Sequence, residues 1–444
     1  MKNRNIQRFY LESLGCAKNS VDSHAMAAML LKAGYNAAQD AHSADVIIVN
    51  TCGFIKPAQD ESIDVLNDYA AQKVKGQYLI AAGCLSERDR QKLTDKVPGL
   101  DAALSTRRWV DILQVINHLS ESSDTPYYHF PPAESLITDY EHVHIVAVQG
   151  KSAYLKIADG CDRHCAFCAI PSIKGRMVSR LPEDIYRDAE YLETLGVKEI
   201  ILIAQDTTAY GRDLGLHNGL ATLLESLVER VKKVPWIRIM YTFPGAITER
   251  LITVMRDNHQ ILPYLDIPLQ HAHPQVLRRM RRPAEMDQVC ETLALMKQKI
   301  PSLALRTTFI VGFPGETDRE FSALTDFITE IEFDHVGIFP YYHEEDTPSF
   351  SYEDDVPQAV KDERIQTLAR LQEDISLKKN QAWIGRQMKV LIEGNGDGVS
   401  IGRSYRDAPE IDGLVFLDTV IDTGKMVQAK ITGALVHDLI GVKK

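Results

Sequence analysis

The sequence predicts an α/β protein built from three domains, and three patterns along the chain support this prediction. Strand and helix signals alternate over residues 1–120, as they do where helices connect the strands of a parallel sheet. A second alternating run, with six strand signals, extends over residues 146–378. Over residues 379–444 short strands alternate with Gly and Asp turns, a pattern typical of a small antiparallel β-barrel.

The first domain is expected to be a flavodoxin-like parallel α/β domain. Its central strand signals are short apolar runs rich in β-branched residues, which predicts burial on both faces of a sheet. Apolar residues between these runs recur at helical spacing and predict the connecting helices. The predicted elements are strand 8–14, helix 22–32, strand 45–50, helix 56–69 and strand 77–82.

The second domain is expected to be a partial or complete (β/α) barrel of the TIM type. A segment rich in Ser, Asp and Pro at residues 121–145 predicts a linker before it, and a charged helix at 362–379 closes it. In such barrels the loops that follow the strands carry the active site. The predicted strands are 153–158, 199–204, 237–241, 264–267, 305–310 and 335–339, followed in the third domain by 388–392, 413–417 and 426–431.

The composition excludes several classes of protein. The net charge of −11 argues against a protein that coats nucleic acid nonspecifically. The N-terminal residues are polar, without the apolar run of a signal peptide, and no apolar stretch of about 20 residues predicts a membrane span. The chain has seven cysteines, an odd number, and three of them lie in one short segment. This pattern favours a reducing cytoplasm over a disulfide framework.

Three cysteines in one short segment are the most informative feature of the chain. Cys161, Cys165 and Cys168 form a C-x₃-C-x₂-C run directly after the first predicted barrel strand. Structural zinc prefers four ligands in a closed tetrahedron. Three thiolates on one loop suit instead an iron–sulfur cluster with one iron open to a small molecule. The alternative, three unrelated core cysteines, does not account for the tight spacing.

A second set of three cysteines is scattered over the first domain. Cys16, Cys52 and Cys84 each follow a predicted strand, and each has a neighbouring glycine. The carboxyl ends of parallel strands meet at one edge of a sheet, so these residues are expected to converge on a second three-thiolate cluster site. Taken singly, each residue is more typical of a buried core cysteine than of a ligand, and it is the repeated placement at strand ends that favours the cluster.

The cysteine loop resembles that of the radical S-adenosylmethionine superfamily, whose C-x₃-C-x-Φ-C motif is complete here with Phe167 as the aromatic residue. The resemblance implies that Cys161, Cys165 and Cys168 hold a 4Fe–4S cluster. It further implies that the open iron binds S-adenosyl-L-methionine, which the reduced cluster cleaves to a 5′-deoxyadenosyl radical. Phe167 is expected to pack beside the cofactor, a role compatible with core filling.

The same resemblance suggests further cofactor contacts in loops that follow strands. Gln205 follows the strand 199–204 and is a candidate for a polar contact. Gly312 and Glu316 lie in the segment GFPGET, next to the cofactor in the superfamily, although its glycines are also explained by a turn. A capping box of Thr317 and Glu320 predicts a helix start directly afterwards.

Other residues have two interpretations that the sequence leaves open. Asp266 and His271 follow a strand and are either polar site residues or partners of backbone groups. The basic run 278–282 either meets an anion or is a solvated helix end. His164 lies within the cysteine loop, but neither its position nor the number of thiols requires it as a ligand. Cys290 lies in an apolar helical segment and is expected to be a buried structural thiol.

The whole chain resembles one branch of this superfamily, the methylthiotransferases, with an N-terminal methylthiotransferase domain, a radical domain and a TRAM-type β-barrel. The resemblance rests on SLGCAKNSVD at 13–22, NTCGFI at 50–55, DGC at 159–161 and IPSIKGR at 170–176. It implies that the N-terminal cluster binds the sulfur to be transferred. It also implies that one S-adenosylmethionine supplies a methyl group and a second supplies the radical.

The branch contains enzymes that modify tRNA adenosine and one that modifies an aspartate of ribosomal small-subunit protein twelve. From residue 384 onward eight cationic side chains are balanced by eight anionic ones, whereas an RNA-binding barrel is expected to be basic. A basic ribosomal protein fits this barrel better, and the segments 14–19 and 402–413 resemble the ribosomal-protein branch.

Direct nucleic-acid binding is therefore not expected to dominate. The expected partners are the ribosomal protein and an electron donor such as a flavodoxin or ferredoxin, with no membrane. A tRNA methylthiotransferase is the first alternative. A non-catalytic iron–sulfur carrier is the second, although such a carrier would have no use for a barrel with a cofactor pocket.

Overall fold

The computed structural model describes residues 6–122, 126–131 and 143–444, and its N-terminal unit is a parallel six-stranded sheet. The strand order is β2-β1-β3-β4-β5-β6, and every neighbouring pair is parallel. In chain order the elements are β1 (Arg8–Ser13), α1 (Ala17–Lys32), β2 (Asn36–Ala37), β3 (Val46–Thr51), α2 (Lys56–Gln72), β4 (Tyr78–Ala82), α3 (Gly83–Asp89), α4 (Leu93–Lys96), β5 (Ala102–Leu104), α5 (Ile112–Glu121) and β6 (Tyr127–His129).

Helices cover both faces of this sheet, which explains the continuous apolar runs of its strands. Every residue of β3 is buried. Val46 and Ile48 face α1, whereas Ile47 and Val49 face Leu66 of α2, because successive side chains of a strand point to opposite faces. The flavodoxin-like parallel α/β prediction is confirmed at this level. Helix α1 begins five residues earlier than predicted, directly after Cys16.

The sheet includes part of the segment predicted as a linker. Tyr127–His129 pairs in parallel with β5 and forms the edge of the sheet. Of the predicted linker 121–145, residues 123–125 and 132–142 lie outside the described residues.

The central unit is a seven-stranded sheet in which six strands are parallel. Its order is β15-β14-β13-β12-β11-β8-β7, with β7 antiparallel to β8. The strands are β7 (Val146–Gln149), β8 (Ser152–Lys156), β11 (Glu199–Ile203), β12 (Trp236–Ile239), β13 (Ile261–Asp266), β14 (Ala304–Val311) and β15 (His335–Pro340), with a separate hairpin of β9 (Ala158–Asp159) and β10 (Val178–Ser179). Within the described ranges β7 and β15 remain the two edges, so the barrel is partial rather than complete.

Helices cover the outside of this open barrel. They are α6 (Ile170–Ile173), α7 (Pro182–Thr194), α8 (Gly219–Arg230), α9 (Glu249–Asp257), α10 (Pro274–Arg279), α11 (Met286–Lys299), α12 (Asp318–Ile331) and α13 (Gln358–Gln381). Ile200 and Leu202 point outward to these helices, whereas Ile201 and Ile203 point into the barrel and share a core with α1 of the N-terminal unit. The predicted capping box of Thr317 and Glu320 is present at the start of α12.

The C-terminal unit is a closed five-stranded barrel of β16 (Gln387–Gly396), β17 (Val399–Arg403), β18 (Val415–Leu417), β19 (Met426–Ala434) and β20 (Leu439–Lys443). Three of these strands were predicted, and β17 and β20 complete the ring. One pair, β18 with β20, is parallel, because β20 returns between β18 and β19 to close the barrel. None of the described helices has the length and apolar character needed to cross a membrane.

The segment after β17, residues 403–412, closes the amino-terminal end of the central barrel. Arg403 is 1% exposed and contacts Glu199, the first residue of β11, at 2.6 Å. Arg406 contacts Asp334, and Asp412 accepts a hydrogen bond from Tyr264. This end of the barrel is filled by ion pairs, so the opposite end, where the strands terminate, is left for chemistry.

Candidate iron–sulfur and cofactor site

The three scattered cysteines lie at one edge of the N-terminal sheet. Cys16 is the N-cap residue of α1, Cys52 follows the last residue of β3, and Cys84 lies in the first turn of α3 directly after β4. Because β1, β3 and β4 are neighbours in the sheet, their three loops are neighbours as well. The structure therefore brings together the strand ends on which the sequence prediction depended.

Two glycines allow these loops to touch each other. A Cβ atom at Gly15 would lie 2.8 Å from the Sγ atom of Cys52, and a Cβ atom at Gly53 would lie 2.6 Å from the backbone of Leu85, next to Cys84. Real Cβ atoms do not approach neighbours so closely. The glycine beside each of these cysteines is thus required by close approach of the loops rather than by a turn alone.

The three thiols differ in exposure. Cys16 is exposed, Cys52 is partly buried and Cys84 is buried. Burial raises the pKa of Cys84 to about 12, and the nearest opposing influence is the positive charge of Lys174. Burial also raises the pKa of Cys52. The exposed member, Cys16, is the N-cap residue of α1.

The second set of cysteines lies on one loop that follows β9. Arg163 donates its backbone N–H to the Sγ atom of Cys161 at 3.4 Å, and the guanidinium of Arg282 donates to the Sγ atom of Cys165 at 3.7 Å. Burial raises the pKa of Cys161 to about 11 and that of Cys168 to about 12. A charged donor directed at sulfur is well matched to a thiolate and poorly matched to a neutral thiol.

Each set supplies three thiols, one fewer than the four ligands of a closed zinc site. Among the described residues no three Cys, His, Asp or Glu side chains are close enough to share one ion. The ligands of one ion all lie within about 2.3 Å of it, whereas a cluster distributes its ligands over different irons. Each set supplies three sulfurs without a fourth protein ligand in the loop, and the Cys161 loop adds hydrogen-bond donors for thiolates.

Four buried charged side chains connect the two cysteine sets. Asp22 of α1 contacts the ammonium groups of Lys156 and Lys174, and Asp159 lies 3.1 and 3.2 Å from the same two groups. All four are at most 2% exposed. We name them the buried tetrad. Burial alone would raise the pKa of Asp159, but the two ammonium groups hold it well below its usual range.

The tetrad fixes the geometry between the two domains. Asp159 lies two residues before Cys161, and its Oδ1 atom accepts the backbone N–H of Gly160 at 3.0 Å. Lys174 is close enough to Cys84 to oppose the rise of its pKa. A rigid set of charges thus links a ligand loop of the central barrel to α1 and to the Cys84 loop.

Gln205 contacts this tetrad. Its Nε2 atom donates to the Oδ1 atom of Asp159 at 2.8 Å, while its Oε1 atom is buried without a hydrogen-bond partner among the described residues. An unsatisfied buried acceptor at the end of a barrel strand fits a position that awaits a donor from a bound molecule. Phe167 packs against Ala166, Val276 and Phe313, so core filling accounts for most of its contacts.

The carboxylate of Glu316 binds backbone groups of the loop in which the residue itself lies. Its carboxylate accepts the backbone N–H groups of Gly312 and Phe313 and contacts Arg364 at 2.9 Å. Burial raises the pKa of Glu316 to about 7 despite these partners. Gly312 has a positive φ of 72°, and the side chain of Lys361 occupies the space a Cβ would need. The pair therefore shapes the loop beside the cysteine site.

The two polar residues after β13 have structural partners. Asp266 accepts the backbone N–H of Tyr241 and contacts Arg306 at 3.1 Å. His271 is completely buried, and its Nδ1 atom accepts the backbone N–H of His273 at 2.9 Å, whereas its Nε2 atom has no hydrogen-bond partner among the described residues. Burial lowers the pKa of His271 to about 3, so the ring is neutral.

The arginines of the basic run 278–282 differ in their contacts, since some of them contact other residues and others are exposed. Arg279 contacts Glu320 of the capping box, and Arg282 lies beside Cys165, whereas Arg278 is exposed. His164 is exposed within the cysteine loop. Cys290 is partly buried and packs against the core of the central barrel.

Sequence reasoning missed several residues of this region. The ring of Phe243 lies between the guanidinium groups of Arg163 and Arg282, at 3.7 and 4.2 Å. The ammonium of Lys18 lies 3.3 Å above the ring of Tyr241, although the two residues belong to different domains. Only Lys18 carried a sequence signal, because a cation in the first turn of a helix is unfavourable.

Family models match three regions of the chain. Residues 8–105 match an uncharacterized protein family, UPF0004, residues 155–328 match the radical SAM superfamily, and residues 384–443 match the TRAM domain. Among solved structures, a radical S-adenosylmethionine methyltransferase, TsrM, from Kitasatospora setae has a TM-score of 0.57 at 12% identity. That match covers 89% of this chain and 81% of the other and shows a shared fold.

Several relatives that match nearly the whole chain carry the same name. Proteins named ribosomal protein uS12 methylthiotransferase RimO are 45% identical in Roseiflexus sp. (strain RS-1), over 98% of this chain and 96% of the relative, and 45% identical in Chloroflexus aurantiacus, over 98% and 99%. A third, from Thermoanaerobacter sp. (strain X514), is 43% identical over 97% of this chain and 98% of the relative. Identity of this extent, together with the domain matches, shows that the chain belongs to the radical SAM family of ribosomal protein uS12 methylthiotransferases.

Proposed function

We propose that the protein installs a methylthio group on the β-carbon of an aspartate of ribosomal protein uS12. The observation that carries this proposal is the 40–45% identity to uS12 methylthiotransferases over 97–98% of the chain. Support comes from three cysteines at neighbouring strand ends and three on one barrel loop, because the reaction needs one site that holds sulfur and one that activates a C–H bond. The protein is accordingly assigned as a transferase.

The cofactors are two 4Fe–4S clusters and S-adenosyl-L-methionine. When bound, they supply the sulfur-holding site, the methyl group and the radical that removes a hydrogen atom from carbon. We assign Cys16, Cys52 and Cys84 to one cluster, and we assign the second cluster to the ligands Cys161, Cys165 and Cys168. Each set leaves one iron of its cluster without a protein ligand.

We assign four further residues to the S-adenosylmethionine pocket. Gln205 has a buried free acceptor for a donor group of the cofactor. Phe167 stabilises the cysteine loop through its apolar contacts with the neighbouring core. Gly312 and Glu316 are positioning residues, since the carboxylate holds the backbone of the loop in place.

The domain division that we propose is 1–120 for the methylthiotransferase domain, 121–145 for the linker, 146–378 for the radical domain and 379–444 for the TRAM-type barrel. Arg403, Arg406 and Asp407 are buried at the barrel contact, and the side chain of Asp412 is 1% exposed there. Six cations and six anions of the C-terminal barrel remain for a partner. This balance favours a protein over an RNA phosphate backbone as the partner.

We further propose a flavodoxin or ferredoxin as electron donor and the cytoplasm as the location. Seven free cysteines, none of them paired in a disulfide, agree with a reducing compartment. The buried thiols of both sets need such conditions to remain available as ligands.

The function is tested by the mass of uS12 from a strain that lacks the gene. The account predicts that uS12 loses the mass of one methylthio group and that the wild-type gene restores it, whereas a Cys161→Ala gene does not. Nucleoside analysis of tRNA from the same strain is predicted to be unchanged. An unchanged uS12 together with a missing methylthioadenosine would assign the protein to tRNA instead.

A further inference from the structure

Lys18 occupies an unfavourable position for a cation. It is the second residue of α1, two residues after Cys16, and the first turn of this helix contains no acidic residue. The positive end of the helix dipole lies at this turn, so a lysine here is unfavourable for the helix. Lysine at this position is therefore not explained by the stability of the helix.

The contacts of Lys18 leave its hydrogen-bond donors free. Its ammonium lies 3.3 Å from the centroid of the Tyr241 ring, which belongs to the central barrel. An ammonium has three N–H donors, and among the described residues none of the hydrogen bonds or ion pairs involves Lys18. The side chain is partly buried, and its ammonium contacts a ring of the neighbouring domain.

Tyr241 is a strained residue at the carboxyl end of a barrel strand. Its φ of +60° lies in the left-handed region that favours glycine. The conformation is held by two hydrogen bonds, from the Tyr241 N–H to Asp266 and from the Thr207 N–H to the Tyr241 carbonyl. Backbone strain of this kind is concentrated at ligand sites. A strained backbone position and an unfavourably placed cation thus meet at the same residue pair.

The acidic groups nearest to Lys18 are already neutralised by other cations. Asp159 is held by Lys156 and Lys174 of the buried tetrad, and Asp266 is paired with Arg306. Among the described residues neither carboxylate makes an ion pair with Lys18, whose ammonium contacts the Tyr241 ring instead. A charged and unpaired ammonium in a partly buried position is suited to an anion that arrives from outside.

We propose that Lys18 binds the side-chain carboxylate of the substrate aspartate and so determines the choice of an acidic residue. This inference rests on the proposed function, in which the reacting carbon is bonded directly to that carboxylate. A carboxylate held by Lys18 would place the β-carbon between the loop of Cys16 and the loop of Cys161, since the two residues in contact, Lys18 and Tyr241, lie at the domain boundary.

The test compares binding of two substrates to the full-length protein, reconstituted with both clusters under anaerobic conditions. One substrate is purified uS12, and the other is uS12 with the target aspartate replaced by asparagine. The wild-type protein is expected to prefer the aspartate form by about tenfold or more in Kd, as is typical for a hydrogen bond to a charged group. Lys18→Met is expected to reduce this preference to less than about twofold, and Lys18→Arg to keep most of it.

Lys32→Met is the matched control, because Lys32 is exposed at the other end of the same helix. Iron content and thermal unfolding verify that each variant is folded and carries both clusters. If Lys18→Met keeps the full preference for aspartate, or if the wild type shows none while still modifying uS12, the inference about Lys18 is overturned and the function stands. A wild-type protein that neither binds nor modifies uS12 overturns the proposed function, and the inference with it.

Discussion

The two cysteine sites contain the same number of thiols but are built in opposite ways. Cys161, Cys165 and Cys168 lie on one loop, whose shape depends on a few neighbouring residues. Cys16, Cys52 and Cys84 come from three loops that meet only because β1, β3 and β4 are adjacent. A change that disturbs the N-terminal sheet should therefore damage the site of Cys16, Cys52 and Cys84 and leave the site on the Cys161 loop intact.

The sites also differ in the charges around them. Arg282 donates to the Sγ atom of Cys165, and Arg163 stacks on the same phenylalanine ring as Arg282. Around the N-terminal site one positive charge belongs to Lys18, two residues after Cys16, and another to Lys174 of the buried tetrad, which lies in the other domain. The contiguous site, on the Cys161 loop, has positive charges from its own domain. The convergent site, formed by Cys16, Cys52 and Cys84, also has a positive charge that belongs to the neighbouring domain.

The largest effect is expected from the shared tetrad. Asp22→Ala leaves Lys156 and Lys174 buried with Asp159 as their remaining carboxylate. Breaking a buried ion network in this way costs about 3–5 kcal/mol, because uncompensated charge stays buried. Urea unfolding of the full chain measures the cost.

The matched control for this change is Asp60→Ala. Asp60 pairs with Lys56 on the exposed face of α2 and is expected to contribute less than about 1 kcal/mol. Equal, small losses in the two variants would show that the tetrad does not join the domains.

A smaller effect is expected from Gly53→Ala. This change distinguishes the two cysteine sites, because it disturbs only the N-terminal one. The added Cβ would lie 2.6 Å from the backbone of Leu85 and push the Cys52 and Cys84 loops apart, at a cost of about 1–3 kcal/mol. Iron analysis after reconstitution is expected to show loss of the N-terminal cluster alone.

Gly394→Ala provides the control, because nothing lies within 4 Å of the position where its Cβ would be. Full iron content in Gly53→Ala would mean that close approach of the loops is not required for the convergent site.

The smallest effect is expected at the contiguous site. Arg282→Met removes a positive donor from Cys165 and should lower the reduction potential of the cluster held there, on the order of 50 mV. A redox titration followed by electron paramagnetic resonance measures the shift, with exposed Arg278→Met as control. A higher potential in Arg282→Met, or equal shifts in the two variants, would contradict the assigned contact.

Much of the fold was predictable because its elements have strong local signals. The parallel strands of both α/β domains are apolar runs with clear periodicity, and β3, β4 and β11 begin or end within one residue of the prediction. The convergent cysteine set was also predictable, since parallel sheets bring strand ends together. The strands β17 and β20 were missed, because each is short and contains a glycine.

The contacts between domains were not predictable from local sequence. Asp22 lies far along the chain from Lys156, and nothing in the periodicity of α1 indicates a buried acid. The same holds for Arg403 and Glu199, which meet only after the barrel has docked. The positive φ of Tyr241 has no signal in the sequence, because tyrosine rarely adopts it.

The central claim, two separate cluster sites that face each other, is tested most directly by iron and sulfide analysis of the anaerobically reconstituted protein. The account predicts about eight irons per chain, and about four in each of the variants Cys16→Ala and Cys161→Ala. The double variant is predicted to bind almost none. Four irons in the wild type, with no further loss in Cys16→Ala, would contradict the second site and remove the basis for sulfur transfer.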